Sequence, residues 1–149
     1  MPEVFRSKSK RRRQRTCSCK GSPGIHSALD SEKQAHVRRF MRQWDIYTYD
    51  PGYGNHPAVI VSHPTRIANK SDVEILVCSS QRANRPVNST EVLLDSADGL
   101  NWETICKCDL ILSVDKCDLI QPRGKVTHER QRQIIGTIIR SHNWALSSG

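Results

Sequence analysis

The sequence predicts a mainly β protein with helices, an α+β chain built on a small and strongly bent antiparallel sheet or barrel. Five short strand patterns follow one another between residues 44 and 114 and are separated by turn residues. One helical pattern precedes these strands and another follows them. A run of short strands closed by a helix is typical of this architecture.

The composition predicts one domain with a modest, mostly aliphatic core. The chain has 149 residues, of which 36% are hydrophobic and only 5% aromatic. No run approaches the roughly 18 apolar residues that a membrane span needs, and the basic start does not resemble a signal peptide. We therefore expect a cytoplasmic protein that does not bind membranes.

The net charge of +8 favours polyanionic or acidic partners. Much of it is local, because residues 1–20 contain eight Lys or Arg against the single acid Glu3. Residues 1–30 also have almost no aliphatic side chains, which predicts a flexible basic arm. This arm either binds nucleic acid or is a solvated extension, and its charge alone does not decide between the two.

A helix is predicted over residues 31–43, in front of the first strand. Ser31 and Gln34 have the spacing of a capping box. An apolar stripe follows at helical spacing: Val37, Phe40, Met41 and Trp44. We expect this helix to pack over one end of the barrel.

The stretch Trp44–Ser62 predicts a hairpin around which the rest is organised. WDIYTYD alternates as a half-buried strand does, and AVIVS is a β-branched run suited to burial on both faces. Between them, DPGYGNHP supplies turn residues, with His56 near its end. This loop is longer than a tight hairpin needs, so it can hold functional side chains.

Three further strands are predicted, at residues 73–79, 90–95 and 103–114. The segment HPTRIANKSD and residues 81–89 are expected to be loops, and Asp98-Gly99 a turn. Residues 115–125 are expected to be a short helical turn or an irregular segment, because Pro122 and Gly124 interrupt them.

A terminal helix is predicted to begin after Thr127 and to cover the sheet. It carries one apolar stripe, formed by Ile134, Ile135, Ile138 and Ile139. The predicted organisation is therefore an arm over residues 1–30, a domain over 31–143 and a tail over 144–149.

The six cysteines are expected to be reduced, and no metal or other cofactor is predicted. Cys17-x-Cys19 and Cys106-x-Cys108 together offer four thiolates. Their one-residue spacing differs from that of zinc knuckles, and the two pairs lie far apart in the sequence.

Six short motifs, in this order and spacing, resemble the PemK/MazF family of toxin ribonucleases over residues 44–143. They are GNHPAVIVSHP, LVCSSQ, EVLL, DGL, CDLILSVDKCDL and RGKVTHERQRQI. The resemblance implies an SH3-like or CcdB-like barrel with a C-terminal helix, usually a homodimer. It also implies metal-independent cleavage of single-stranded RNA, an acidic antitoxin that blocks the RNA groove, and operator DNA binding only together with that antitoxin.

The resemblance places the chemistry at His56 and Ser79. The family has an arginine before the proline of the second strand, where this chain has His56, and a Thr or Ser at the end of the third strand, where it has Ser79. A neutral imidazole has one donor and one acceptor, whereas a guanidinium is a fixed charge. His56 is thus either a general acid or base or a turn histidine without chemistry, and both alternatives stay open.

Other side chains on the same loops are candidate RNA contacts. Tyr53 could stack on a base or pack on its own loop, and Asp50 is favoured as a turn former. Arginines on the loops could supply the positive charge that the family's arginine would have carried. The full set of candidates is Asp50, Tyr53, Asn55, Arg66, Ser80, Gln81, Arg82 and Arg85.

Two functions are compatible with these residues and with the resemblance, and a third, weaker alternative is that the basic arm is the main nucleic-acid contact and the barrel only a dimerisation unit. The first is an endoribonuclease toxin, and hence an enzyme. The second is a catalytically weakened barrel of the same fold that binds nucleic acid or a protein partner without cutting. The change from arginine to histidine makes the first less favoured without removing it.

Overall fold

A computed structural model describes residues 40–80 and 85–143 and contains a six-stranded antiparallel sheet with strand order β4-β5-β3-β2-β1-β6. A short helix, α1, connects β2 to β3, and a longer one, α2, follows β6. The predicted class, mainly β with helices, is confirmed. The elements are β1 (Asp45–Tyr49), β2 (His56–Ile60), α1 (Pro64–Asn69), β3 (Asp72–Ser80), β4 (Glu91–Leu94), β5 (Thr104–Asp115), β6 (Leu119–Lys125) and α2 (His128–Ser141).

The predicted hairpin forms, with one change at its turn. β1 and β2 pair from Ile46↔Val59 to Tyr49↔His56, so His56 is the first residue of the second strand and not part of the turn. Gly52 and Gly54 both have positive φ, which is why glycines occupy these positions. The loop therefore ends where β2 begins, with His56 at the boundary.

The sheet has a core on each face. One cluster, which includes Ile46, Val59 and Leu76, packs against α2 through the fully buried Ile134. The other includes Tyr47, Ile60 and Ile75 and is joined by Ile67 of α1. Burial on both faces explains the continuous β-branched runs in the central strands.

Residues 63–72 are predicted from the sequence to form a loop. The prediction is wrong for the middle of this segment, where Pro64–Asn69 form the helix α1. His63 is the N-cap, and its Nδ1 accepts a hydrogen bond from the Thr65 backbone N–H at 3.2 Å. Pro64 at the first helical position is a recognised start signal. A helix of six residues is too short to show a periodic pattern.

The predicted helical turn or irregular segment over residues 115–125 is confirmed at its start, where Lys116–Asp118 form a 3₁₀ turn, but it is wrong for residues 119–125, where β6 pairs with β1. β6 is an edge strand, so Pro122 can be tolerated there without breaking the sheet. The register shifts along this pair, as expected near a proline. The chain's C-terminal third thereby contacts its first strand.

Gly124 of β6 lies against the 3₁₀ turn Ser96–Asp98 that follows β4. A Cβ atom added at Gly124 would lie 2.1 Å from the carbonyl oxygen of Asp98. The Asp98 carboxylate is buried, and it accepts the backbone N–H of Thr127 at 2.8 Å, just before α2. This contact brings the β4–β5 connection onto the opposite edge of the sheet.

The helix α2 begins after Thr127, as predicted, but its apolar stripe is only half covered. Ile134 is buried and Ile138 packs against the core, whereas Ile135 and Ile139 are 45% and 46% exposed. The prediction that all four isoleucines form one stripe on the sheet is therefore wrong for two of them. These two residues are one helical turn apart and form an apolar face.

The predicted N-terminal helix falls largely outside the described residues. Residues 40–43 are described and are not helical, although Met41 is buried against the second core. The arm 1–30, the tail 144–149 and residues 81–84 are outside the description as well. Within the described ranges, no helix is long and apolar enough to cross a membrane.

Candidate active site

A cavity of about 530 Å³ lies where β2 begins and β3 ends. The two strands are antiparallel, and their register runs from Ile60↔Ile75 to Ala58↔Val77. Continuing it by two residues sets His56 across from Ser79, with both side chains on one face of the sheet. The cavity is lined by Asn55, His56, Pro57, Ser79, Ser80, Arg85 and Trp102.

His56 is half-buried, and its ring lies edge-on to Tyr53, with the ring centroids 5.9 Å apart and the planes at 61°. Neither its imidazole nor the Ser79 hydroxyl makes a hydrogen bond to any residue in the described part of the chain. Tyr53 itself is 80% exposed. Both polar groups are therefore available to a ligand, beside an exposed aromatic ring.

Arg85 brings positive charge to the cavity but is not an isolated cation. Its Nη2 lies 2.6 Å from a carboxylate oxygen of Glu91 at the start of β4. The Glu91 side chain is only 6% exposed, and its other oxygen accepts the Asn88 backbone N–H at 3.0 Å. The pair fixes the guanidinium at the rim, and Glu91 balances part of its charge.

The structure brings five of the ten predicted site residues together in this cavity, namely Asn55, His56, Ser79, Ser80 and Arg85. Tyr53 borders it through the ring of His56. Asp50 acts as a turn former, since its carboxylate accepts the Gly52 backbone N–H at 2.7 Å. Gln81 and Arg82 lie outside the described residues.

Arg66 is not part of this site. It lies on α1, which follows the far end of β2, and it forms an ion pair with Asp72 at the start of β3. The Ser113 hydroxyl donates to the same carboxylate at 2.9 Å. The Ser113 hydrogen bond, followed by the local backbone and Arg66, holds the pKa of Asp72 below its ordinary value. Arg66 therefore stabilises the opposite end of the sheet.

Sequence reasoning missed Trp102 and Arg123, which extend the site. Trp102 lines the cavity and is 49% exposed. The Arg123 guanidinium carbon lies 5.8 Å from the centre of the Trp102 ring, within the range of a cation–π contact. A tryptophan within a predicted turn segment was the available signal, because large aromatic side chains are usually buried in the core and turns lie at the surface.

The cysteines give no metal centre in the part of the chain that is described. No group of three or more His, Cys, Asp or Glu residues is placed to hold an ion there. Three free cysteines, Cys78, Cys106 and Cys108, are fully buried in one core. Hydrogen bonding of the Cys106 thiol to the neighbouring Cys108 and Cys78 sulfurs, together with burial, raises the pKa of the Cys106 thiol well above its ordinary value. Cys17 and Cys19 lie outside the described residues.

Solved structures share this fold. The toxin MazF-mt6 of Mycobacterium tuberculosis matches with a TM-score of 0.59 and 18% identity, over 66% of this chain and 96% of that one. An endoribonuclease in complex with its cognate antitoxin, from a mycobacterial species, matches with a TM-score of 0.63 and 24% identity, over 71% of this chain and 98% of that one. A MazE–MazF structure from Deinococcus radiodurans matches with a TM-score of 0.55 and 14% identity, over 67% of this chain and 92% of that one.

The sequence itself matches a family model. Comparison with curated proteins gives no match. The model of the PemK-like, MazF-like toxins matches residues 42–142, which is more than half of the chain and includes every element of the sheet. The chain therefore belongs to the PemK-like, MazF-like toxin family of type II toxin–antitoxin systems.

Proposed function

We propose that this chain is an endoribonuclease that cleaves single-stranded RNA by attack of the RNA's own 2′-hydroxyl, without a metal. The observation that carries the proposal is that His56 and Ser79 line one cavity, with neither side chain hydrogen-bonded to the described part of the protein. An imidazole and a hydroxyl that both face open space are suited to a polar substrate. Membership of a toxin family supports the same conclusion.

The chemistry assigns a role to each side chain. As the 2′-oxygen forms its bond to phosphorus, the bond from phosphorus to the 5′-oxygen breaks. The 2′-hydroxyl gives up a proton and the 5′-oxygen takes one. Because the two oxygens lie on opposite sides of the phosphorus, a single imidazole can exchange a proton with only one of them. His56 therefore acts either as the general base toward the 2′-hydroxyl or as the general acid toward the 5′-oxygen. The Ser79 hydroxyl and Arg85 guanidinium donate to the phosphate oxygens as negative charge develops.

The proposal is tested by incubating the purified protein with a mixed single-stranded RNA in EDTA. Products that end in 2′,3′-cyclic phosphate are expected, since this mechanism uses no external water to break the bond. His56→Ala should lower the rate by about 100-fold or more, the typical contribution of a general acid or base. The exposed α2 residue Arg132 supplies a control, and Arg132→Ala should cleave at the parent rate.

A second candidate function is binding of nucleic acid without cleavage. The observation that favours it is the Arg85–Glu91 ion pair, because the one guanidinium that lines the described cavity is partly neutralised. A His56→Ala variant that cleaves as well as the parent would contradict the assignment of His56. Binding without any product in the EDTA assay would support the second function instead.

We also propose that an acidic antitoxin segment covers this cavity and that the chain forms a homodimer in the cytoplasm, binding operator DNA only with the antitoxin. Ile135 and Ile139 are exposed on α2, and an exposed apolar pair of this kind supports a protein contact at α2, which we assign to the second copy of the dimer. Light scattering of the parent and of an Ile135→Glu/Ile139→Glu variant checks the dimer. A monomeric parent would contradict it.

The basic arm over residues 1–30 is proposed as an additional nucleic-acid contact, because its charge is the densest in the chain. A variant lacking residues 1–30 should bind single-stranded RNA more weakly and with a smaller salt dependence. If it loses RNA binding completely, the arm and not the cavity is the main contact. Its cleavage pattern should be unchanged if the cavity holds the chemistry.

A further inference from the structure

A second cavity, of about 370 Å³, shares Trp102 with the candidate active site. It is formed by the turn before β5 and by the middle of β6, and its walls are mostly polar. Its volume is within the range of small-ligand sites. The lining residues are Gly99, Leu100, Asn101, Trp102, Gln121, Pro122 and Arg123.

Arg123 is held in place within this second cavity. Its Nε donates a hydrogen bond of 2.7 Å to the hydroxyl of Thr48, a buried residue of β1. Its guanidinium also lies over the Trp102 ring. The described residues form ion pairs at Arg66, Arg85 and Arg130, but none at Arg123. Among the described residues, Arg123 is therefore an oriented positive charge without a carboxylate to balance it.

Trp102 connects the two cavities because it lines both. Its indole is 49% exposed, so a planar group can reach it. Aromatic side chains of this kind stack on the bases of single-stranded nucleic acids, and an arginine nearby binds the phosphate. Asn101 and Gln121 add amide groups, each of which can both donate to and accept from the edge of a base.

We propose that this second cavity binds a nucleotide adjacent to the cleaved bond, with its base stacked on Trp102 and its phosphate bound by Arg123. Asn101 and Gln121 contact the base edge and contribute to the choice of sequence. The inference rests on the proposed function, since it extends the RNA path beyond His56 and Ser79. It assigns Trp102 and Arg123 to substrate binding and not to proton transfer.

The test measures the affinity of the full-length protein for a single-stranded 2′-O-methyl RNA, which cannot be cleaved by 2′-hydroxyl attack. Trp102→Ala should weaken binding about tenfold, and Trp102→Phe, which keeps a stacking ring, should stay within about threefold of the parent. Arg123→Gln should lower the slope of log affinity against log salt by about 0.7, the value for one phosphate contact on a single strand. Arg132→Ala is the control for loss of an arginine elsewhere.

A second measurement does not depend on the stability of the alanine variant. RNA binding should quench tryptophan fluorescence in the parent, and part of this quenching should disappear in Trp102→Phe, which leaves the chain's other two tryptophans in place. The inference is overturned if Trp102→Phe shows the full quenching, or if Arg123→Gln weakens binding no more than Arg132→Ala does. In either case RNA still binds and the proposed function stands, whereas a parent that binds no RNA overturns both.

Discussion

Replacing Gly124 by alanine tests the contact that joins the two edges of the sheet. Gly124 does not have a positive φ, so alanine could adopt its backbone conformation and the effect should come from sterics alone. The added Cβ would lie 2.1 Å from the Asp98 carbonyl oxygen and 3.0 Å from the Gly99 Cα. Both neighbours are backbone atoms, and neither can rotate away.

The size of the effect follows from how far the backbone must move. An ordinary nonbonded contact begins near 3.4 Å, so the 3₁₀ turn and β6 must separate by more than 1 Å. Such a shift also strains the hydrogen bond from Thr127 to the buried Asp98 carboxylate. Overpacking a rigid site costs about 1 to 3 kcal/mol, and a backbone clash belongs at the upper end. A loss of about 3 kcal/mol lowers the Tm of a domain of this size by about 12 to 24 °C.

Thermal unfolding followed by circular dichroism measures this change. Gly136→Ala is the matched control, since it adds the same methyl group inside α2, where the nearest atom is the flexible end of Arg140 at 3.2 Å. That substitution should stabilise the protein by about 0.5 to 1 kcal/mol, because alanine is the better helix former. A Gly124→Ala variant within about 0.5 kcal/mol of the parent, the usual range for surface substitutions, would refute the steric argument.

Three further predictions concern single groups. Asp98→Ala should cost about 2 to 4 kcal/mol in urea unfolding, because it leaves two partly buried backbone N–H groups, those of Asp95 and Thr127, without their acceptor; a cost under about 1 kcal/mol would contradict this. The pKa of Asp72 is lowered in the fold, chiefly by Ser113, so its contribution to stability is present above the ordinary value of 3.8 and is lost as pH falls through the lowered value. The Tm difference between the parent and Asp72→Asn should therefore be larger at pH 7 than at pH 3, and equal differences would contradict it. Iodoacetamide should label Cys106 only after unfolding, as mapped by mass spectrometry, since burial and a raised pKa suppress its thiolate; labelling of Cys106 in the native protein would contradict it.

The sequence predicted those elements whose local pattern and tertiary environment agree. β3 and β5 are rich in β-branched residues and lie in the interior of the sheet, so pattern and burial point the same way. β6 was missed because Pro122 and Gly124 usually interrupt a strand, and only its edge position makes them acceptable. That position depends on pairing with β1, which lies some 75 residues earlier in the chain. A local sequence pattern does not predict such a distant pairing.

The candidate site was predictable to the same extent. His56 and Ser79 lie at the ends of two consecutive strands, so antiparallel pairing alone brings them together. The charge around them was harder to predict. Arg66 is close to the hairpin in sequence, yet α1 places it at the other end of the sheet. Arg123 is distant in sequence, yet β6 places it beside Trp102.

The stability of the β4–β5 turn and the geometry of the second cavity depend on the same contact. Gly99 and Trp102 belong to the connection that packs on Gly124, and Arg123 is the residue before it. A backbone shift at Gly124 therefore moves the indole and the guanidinium relative to each other, while His56 pairs with Tyr49 of β1 and Ser79 pairs with Ile105 of β5, away from that contact. Gly124→Ala should thus weaken binding of the 2′-O-methyl RNA even at temperatures where the domain remains folded. If RNA affinity is unchanged in a destabilised Gly124→Ala protein, the second cavity does not contribute to binding.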